Sequence, residues 1–402
     1  MVLKFQRNIW IFSLLAWSLS AGCGTFTDPG DNLWPIRENG LYGFINNVGE
    51  VVIAPQFAYA FRFSEGLAAV NVGGTQTNYD VPVDGKWGFI DRSGRYVINP
   101  SYFSPPTSGK PYDLNDLAKV LHEGYIFSEG KAAVYSDNGW IYIDSAENVV
   151  INDPRIKSAR RFVEGLAAVY VDGKWGYIDH TYKTARDSFA IAPAYIYPVN
   201  FLNGHILTMD RESRWVVIDR NGNRKLPQYK IESNFFEGVA IVQDSFKTGE
   251  IRFSSQYKYG LVDEDGRFLF TPQFDMVGRY GSGLCPALVG SKVGEQVAFA
   301  DQVRVDNNIG GKWGFVNRRG EFVFNPIYED AKGFSEDIGA IKMGGLWGYM
   351  APDGSMITGF EFRWVGYFKN GIARVKLGPV HNDYDEHYAY INRSGNVLWV
   401  EP

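Results

Sequence analysis

One theme of about nine residues recurs along this chain and narrows its fold before anything else does. An aromatic-glycine pair is followed by one or two apolar residues, an Asp or Asn, a Gly-bearing turn and an apolar run that often ends in Pro and an aromatic. Full copies are Tyr42-Gly43-Phe44-Ile45-Asn46, Trp87-Gly88-Phe89-Ile90-Asp91, Trp175-Gly176-Tyr177-Ile178-Asp179, Trp313-Gly314-Phe315-Val316-Asn317 and Trp347-Gly348-Tyr349-Met350. Degenerate copies begin at Trp140, Trp215, Tyr259 and Tyr388. Self-similarity at roughly 35 to 50 residues marks a repeat architecture, in which each unit buries its apolar face only against its neighbours.

The segment from Val83 to Tyr102 shows how a unit is built. Asp84-Gly85 predicts a two-residue type I′ hairpin turn, which needs positive φ at both central positions. The strand from Lys86 to Asp91 alternates, with Trp87 and Phe89 on one face and Gly88 and Ile90 on the other. Glycine beside the aromatic weakens a strand, so its recurrence at Gly43, Gly88, Gly176, Gly260, Gly314 and Gly348 predicts close approach by a backbone or a ring in every unit. Asp91-Arg92-Ser93-Gly94 reads as a turn closed by the Asp side chain. A second strand is expected over Tyr96 to Asn99, with Pro100 ending its ladder.

A third strand follows a Phe-x-Glu-Gly turn. The copies are Phe63-Ser64-Glu65-Gly66 with Leu67 to Val70, Phe127-Ser128-Glu129-Gly130 with Lys131 to Val134, Phe162-Val163-Glu164-Gly165 with Leu166 to Val169, and Phe235-Phe236-Glu237-Gly238 with Val239 to Val242. Paired alanines, as at Ala68-Ala69, Ala132-Ala133 and Ala167-Ala168, keep both faces of that strand small enough for tight packing. The recurring Glu is expected to accept hydrogen bonds from neighbouring backbone amides, not to act in catalysis.

These pieces predict an all-β array of about eight three-stranded antiparallel units plus a terminal hairpin at Tyr388 to Val400. Its strand edges must be covered by the next unit or blunted. A propeller-like ring is favoured over an open β-superhelix, although the uneven spacing of the aromatic-glycine sites keeps the open form in play. An insertion from Ser104 to Tyr125 predicts one short helix near 113–122, capped by Asp113 and with Leu114, Leu117, Ala118 and Leu121 on one side. The Lys-Trp-Gly triplets at Lys86, Lys174 and Lys312, with the Phe-x-Glu-Gly segments, resemble the WG (KWG) repeat family over roughly Leu41 to Val400. The resemblance implies a β-rich scaffold and carries no catalytic residues.

The N-terminus reads differently. Lys4 and Arg7 precede an uncharged apolar stretch from Ile9 to Leu19 and the small residues Ser20-Ala21-Gly22, an order expected of a signal peptide over 1–22. Small residues before Cys23 resemble the lipobox of bacterial lipoproteins, which implies acylation of Cys23 and a tether over 23–40 ahead of the repeat domain at 41–400. Anchorage to the membrane through that lipid follows. Gly24 after the Cys resembles the pattern of outer-membrane sorting, placing the protein in a bacterial cell envelope. The other cysteine, Cys285, then has no disulfide partner and is expected as a small buried thiol. Removing the signal takes the formal charge from −5 to about −7, which argues against nucleic acid as a partner.

Function is expected where the period breaks. Long connections at Asn71 to Lys86, Gln243 to Lys258, Gly290 to Lys312 and Leu377 to His387 occupy the position that short hairpins hold at Tyr135 to Gly139, Tyr170 to Lys174 and Lys342 to Leu346. They should emerge on one face, where repeat proteins bind, unless they are tolerated drift in exposed hairpins. The partner-binding candidates there are Tyr79, Phe246, Tyr257, Asp301, Arg304, Asp306, Asp383, Tyr384, Asp385 and Glu386. The stretch from His381 to His387 collects oxygen and imidazole donors, yet meets no calcium-loop spacing, and a solvated acidic loop is the expected reading. No cofactor is expected. The motifs of phosphate-binding loops, zinc peptidases and serine hydrolases are missing, and the five histidines stand in no recurrent relation to a nucleophile. The expectation is a non-enzymatic envelope lipoprotein whose loop face binds a protein partner. The alternative is a glycan-binding or glycan-cleaving protein that uses the loop carboxylates and aromatics.

Overall fold

The protein is described from a computed structural model, which covers residues 32–401 apart from 76–80, 107–120, 122, 213, 227–229, 234, 244–257, 293–297, 300–301, 304–308 and 379–386. Among the described residues almost everything regular is β-strand, and every strand pair is antiparallel. Of the helix expected near 113–122, only Leu121 is described; it is helical, as are Glu123 and Gly124, and the rest of that segment lies outside the described residues. The signal peptide and Cys23 lie outside them too.

Nine units follow one another. The second shows the full plan: Tyr59–Ala60, Ala68–Val72, Lys86–Ile90 and Tyr96–Tyr102 form a four-stranded sheet in chain order. The short first strand of that plan was not foreseen, so several sheets have four strands instead of three. Unit 1 is the three-stranded sheet Trp34–Glu38, Leu41–Ile45 and Val51–Phe57. Trp34–Glu38 falls within the expected tether, so the sheet begins before residue 41. Later units occupy 121–152, 158–195, 201–225, 230–274, 276–328, 330–359 and 362–400. The hairpin at 388–400 is present and hydrogen-bonds to Ile372–Leu377, as the outer half of unit 9.

The recurring glycine has a direct cause. In unit 2, Trp87 faces Tyr102 while Phe89 faces Ile98, so the partner strand carries extra residues and bulges at Asn99-Pro100-Ser101. A β-carbon on Gly88 would lie 2.7 Å from both the Ile98 oxygen and the Pro100 nitrogen. Gly43 meets Ile53 and Pro55 in the same way, Gly176 meets Ile191 and Pro193, and Gly260 meets Phe270 and Pro272. The close approach is therefore backbone, and it comes from the next strand of the same sheet. Pro100 does not end that strand as expected. It sits inside the bulge, where a missing N–H costs no ladder bond, and the strand runs on to Tyr102. Where the glycine is replaced, at Ile141 and Val216, the facing strands are only Val149–Asn152 and Arg224–Lys225.

Eight turns of the Phe-x-Glu-Gly type join the first and second strands of units 2 to 9. Each has two successive residues of positive φ, as at Glu65 (52°) and Gly66 (80°) or Glu336 (52°) and Asp337 (60°). They are type I′ turns, matched to the twist of the strands they join. Asp84-Gly85 is not one: only Gly85 has positive φ (73°), and Asp84 is drawn into the long connection, where its carbonyl accepts the Asn71 side-chain amide at 3.1 Å. The outer hairpins close as expected. Asp91 Oδ1 accepts the Ser93 and Arg95 amides at 2.9 and 3.1 Å, and Asn46, Asp219, Asp263, Asn317 and Asn392 repeat the arrangement.

Between units the core is largely aromatic. Within unit 2 Phe61 stacks on Trp87 with centroids 5.1 Å apart; across the joint to unit 3, Tyr125 lies 5.2 Å from Trp87 and Phe89 meets Phe127 edge-on at 4.9 Å. Each such pair adds roughly 0.5–1.5 kcal/mol beyond the area it buries. Tyrosines two residues after the strand aromatic also donate across the joint: Tyr142 to the Arg160 carbonyl, Tyr177 to Val199 and Tyr349 to Gly366, at 2.6–3.0 Å.

The series of sheets returns on itself. In consecutive units the outer turn of one packs on the last segment of the unit before, as Gly94 does on Ile53, Gly354 on Phe324 and Gly395 on Thr358. Gly49 of unit 1 makes the same contact with Leu398 of unit 9. Tyr390 donates to the Pro35 carbonyl at 3.0 Å, and its ring lies 6.0 Å from Trp34. It is the series that closes, in the manner of a propeller. No single sheet forms a barrel.

Candidate functional site

The strand pairing fixes where the loops leave. Nine residue pairs hold one equivalent position: Arg37/Tyr42, Asn71/Trp87, Tyr135/Trp140, Tyr170/Trp175, Met209/Trp215, Gln243/Tyr259, Leu288/Trp313, Lys342/Trp347 and Lys376/Tyr388. Beyond five of these pairs the chain turns back within a few residues. Beyond Asn71, Gln243, Leu288 and Lys376 it makes the four long connections. All four therefore leave from the same end of equivalent strands, the end opposite the Phe-x-Glu-Gly and Asx turns.

That opposite end is occupied by bonds between units. Glu65 accepts the backbone amides of Glu129 and Gly130 at 2.6 and 3.0 Å, and Glu129 accepts that of Gly165 at 3.1 and 3.0 Å. Glu164 takes Asn203 and Gly204, Glu237 takes Ser282, and Glu336 takes Asn370 and Gly371. Where the turn lacks Glu, Asn203 reaches the Phe235 carbonyl and the Ser282 hydroxyl reaches Asp337. Seven successive links thus join the eight turns. The expectation that these carboxylates serve backbone amides holds, and the amides belong to the following unit.

Polar residues cluster at several of the loop roots. Asn71 is buried, Gln243 donates to the Tyr259 hydroxyl at 2.9 Å, and Asp275 pairs with Lys258 and accepts the Ser291 amide at 2.8 Å. Burial pushes the Asp275 carboxyl up, but Lys258 and Ser291 outweigh it and leave the group below its ordinary range. Beside the fourth loop, the Arg374 guanidinium lies 3.9 Å from the Tyr388 ring centroid, and Trp364, 39% exposed, lies 6.3 Å from the same ring. His387 bonds through Nδ1 to the Glu401 carbonyl at 2.8 Å. The tips are another matter: Tyr79, Phe246, Tyr257, Asp301, Arg304, Asp306, Asp383, Tyr384, Asp385 and Glu386 all lie outside the described residues.

A second polar region was not anticipated. Two of the residues just before a turn aromatic, Arg161 and Arg279, meet side chains of other units. Arg161 of unit 4 pairs at 3.3 Å with Glu123 of unit 3, which also takes the amide of Asn200, just ahead of unit 5, at 2.5 Å. Arg279 of unit 7 lies over Phe236 of unit 6 and Tyr367 of unit 9. Next to it, Lys332 donates to the Val365 carbonyl at 2.6 Å and sits over Trp347 and Trp364. The signal was present as a basic residue one or two places ahead of the aromatic, but without the bulged sheet its direction could not be read.

Among the described residues no group of three His, Cys, Asp or Glu could hold a metal ion, and no helix is long and apolar enough to cross a membrane. Cys285 is buried and donates to the Gly278 carbonyl at 3.2 Å.

Segments 42–75, 87–102, 142–175, 259–292, 313–347 and 347–378 match the model of the WG containing repeat. Those six segments are WG repeats. Copies whose glycine is lost, at Ile141 and Val216, still form the equivalent strand of their unit. No curated relative matches the chain. Among solved structures, the chain is similar to the computationally designed Ika8 protein, at 9% identity and TM-score 0.37 over 83% of this chain and 93% of that one. It is similar to BamB from Moraxella catarrhalis at 10% identity and TM-score 0.31, over 87% and 94%. It is similar also to the WD40 β-propeller domain of Doa1 at 10% identity and TM-score 0.26, over 62% and 83%.

Proposed function

We propose that the protein is a non-enzymatic cell-envelope lipoprotein, anchored through Cys23, whose WG-repeat scaffold presents its long-loop face to a protein partner. The observation that carries this is the shared root of the four long connections, at Asn71/Trp87, Gln243/Tyr259, Leu288/Trp313 and Lys376/Tyr388. The other face is committed to turn-to-turn bonds, so the long insertions are concentrated on one side of the frame. The Arg374, Tyr388 and Trp364 cluster at the base of the fourth loop supports the same reading, because exposed Trp, Tyr and Arg are enriched in protein interfaces.

The test is affinity capture from an envelope extract, with the mature protein and with a variant whose four loops are replaced by the two-residue turn of Asp172-Gly173. A partner retained by the first and lost by the second is expected. Equal capture by both ends the proposal, and retention on peptidoglycan abolished by Asp383→Ala or Glu386→Ala replaces it with the glycan reading. Mass spectrometry of the mature N-terminus tests the anchor: diacylated Cys23 is expected, and an unmodified Cys23 overturns that part.

A further inference from the structure

Arg161 and Arg279 hold the same place in their units, each one residue ahead of the turn aromatic, Phe162 and Tyr280. Their surroundings differ. Arg161 has a carboxylate, Glu123, at 3.3 Å. Arg279 has no hydrogen bond or ion pair to any described residue, and its Nε is buried without a partner. Its guanidinium carbon lies instead 4.6 Å from the Phe236 ring centroid and 5.5 Å from that of Tyr367. A guanidinium carries five N–H donors in one plane, and ring faces satisfy the charge without accepting any of them.

We propose that Arg279 is the anchor for an oxyanion, the carboxylate or phosphate group of a small ligand, held where residues of units 6, 7 and 9 meet. The two rings line the site, and the N–H edge supplies the paired donors that planar oxyanions accept. A second cation stands close by, since Lys332 Nζ lies 5.8 Å from the same Tyr367 ring. The nearby acids are already engaged: Glu237 accepts the Ser282 amide at 3.2 Å and Asp330 the Ala331 amide at 2.8 Å. Burial pushes Arg279 below its ordinary range in spite of Tyr367 and Glu237, the sign of a charge the protein itself undercompensates. An entering anion would restore to Arg279 what Glu123 gives Arg161.

The experiment titrates the full mature chain with sodium phosphate and, separately, sodium acetate at constant ionic strength, using sodium chloride as the reference. Thermal melting and the side-chain Nε–H resonance of Arg279 are followed, the resonance being assigned from its loss in Arg279→Lys. At least one of the two anions should raise the melting temperature saturably and move that resonance, and Arg279→Gln should weaken the effect at least ten-fold. Phosphate alone active assigns a phosphate-bearing ligand, and acetate active assigns a carboxylate. No saturable response to either anion, or an equal response in Arg279→Gln, overturns the proposal. If Arg279→Gln does not fold, the wild-type resonance decides.

Discussion

The carboxylate of Glu129 accepts the backbone amide of Gly165, in the next unit, through both oxygens at 3.1 and 3.0 Å. The same carboxylate meets His180 at 2.7 Å, whose ring stacks on Phe162. One side chain therefore ties two sheets that share no strand. A hydrogen bond to a charged group contributes about 1.5–3 kcal/mol, so Glu129→Ala is expected to lower the unfolding free energy by about that much. Urea unfolding at neutral pH reads it. A loss below about 0.5 kcal/mol would mean that water replaces the carboxylate freely.

Gly88→Ala and Gly130→Ala separate two reasons for glycine. At Gly88 the added carbon would stand 2.7 Å from backbone on the bulged strand, and backbone cannot give way as a side chain can. At Gly130 nothing lies within 4 Å, and only the positive φ of 77° opposes the change. The first variant is expected to lose about 3 kcal/mol or more, at the upper end of overpacking costs, and the second about 1–2 kcal/mol. Denaturant midpoints of the two variants give the ordering.

Closure of the series can be checked at one residue. A β-carbon on Gly49 would lie 2.2 Å from the Leu398 carbonyl oxygen, whereas on Gly94 it would meet only the Ile53 side chain at 3.4 Å. Both glycines have similar positive φ, 88° and 82°. Gly49→Ala should therefore melt lower than Gly94→Ala. Equal melting temperatures would mean that units 1 and 9 do not touch in solution.

Acid should weaken the fold through Asp210. Burial pushes its carboxyl up, yet the Arg214 amide and guanidinium and the Arg224 guanidinium outweigh that and hold it at about 2. A carboxyl lowered in the folded state stabilises fully above its unfolded value near 4, and that contribution is lost as pH falls from about 4 to about 2. Asp210→Asn is expected to be less stable than the parent at pH 7 and to approach it at pH 2–3. Urea midpoints across that range measure the convergence, and a constant gap would refute it.

Cys285 should be inert while the protein is folded. Burial raises its thiol far above the ordinary value, and thiolate is the reactive form. A thiol reagent at pH 8 is expected to label it only after denaturant is added. Labelling in the native state would show local opening of unit 7.

Much of this fold was readable from pattern. The aromatic-glycine pair, the Asx turn after Ile90 and the alanines of the second strand each encode a local event, and each recurs with the residue that causes it. Pro100 misled because a proline inside a bulge and a proline ending a ladder have the same local sequence; only the pairing of Trp87 with Tyr102 tells them apart. Asp84-Gly85 misled because a turn motif does not say how far away its strand partner lies. Arg279 was invisible as a site for a related reason. Its isolation depends on which residues of units 6 and 9 come near, and nothing local to residue 279 records that.

Every neighbouring pair of units is linked by the chain itself except the first and the last. There the two sheets are held by Tyr390 on Pro35, Trp34 beside Tyr390, and Gly49 beneath Leu398. That seam is the mechanical weak point of the molecule. Tension drawn through the residues ahead of Trp34 would act directly on it and unlatch the ring there before it strained any covalently joined boundary.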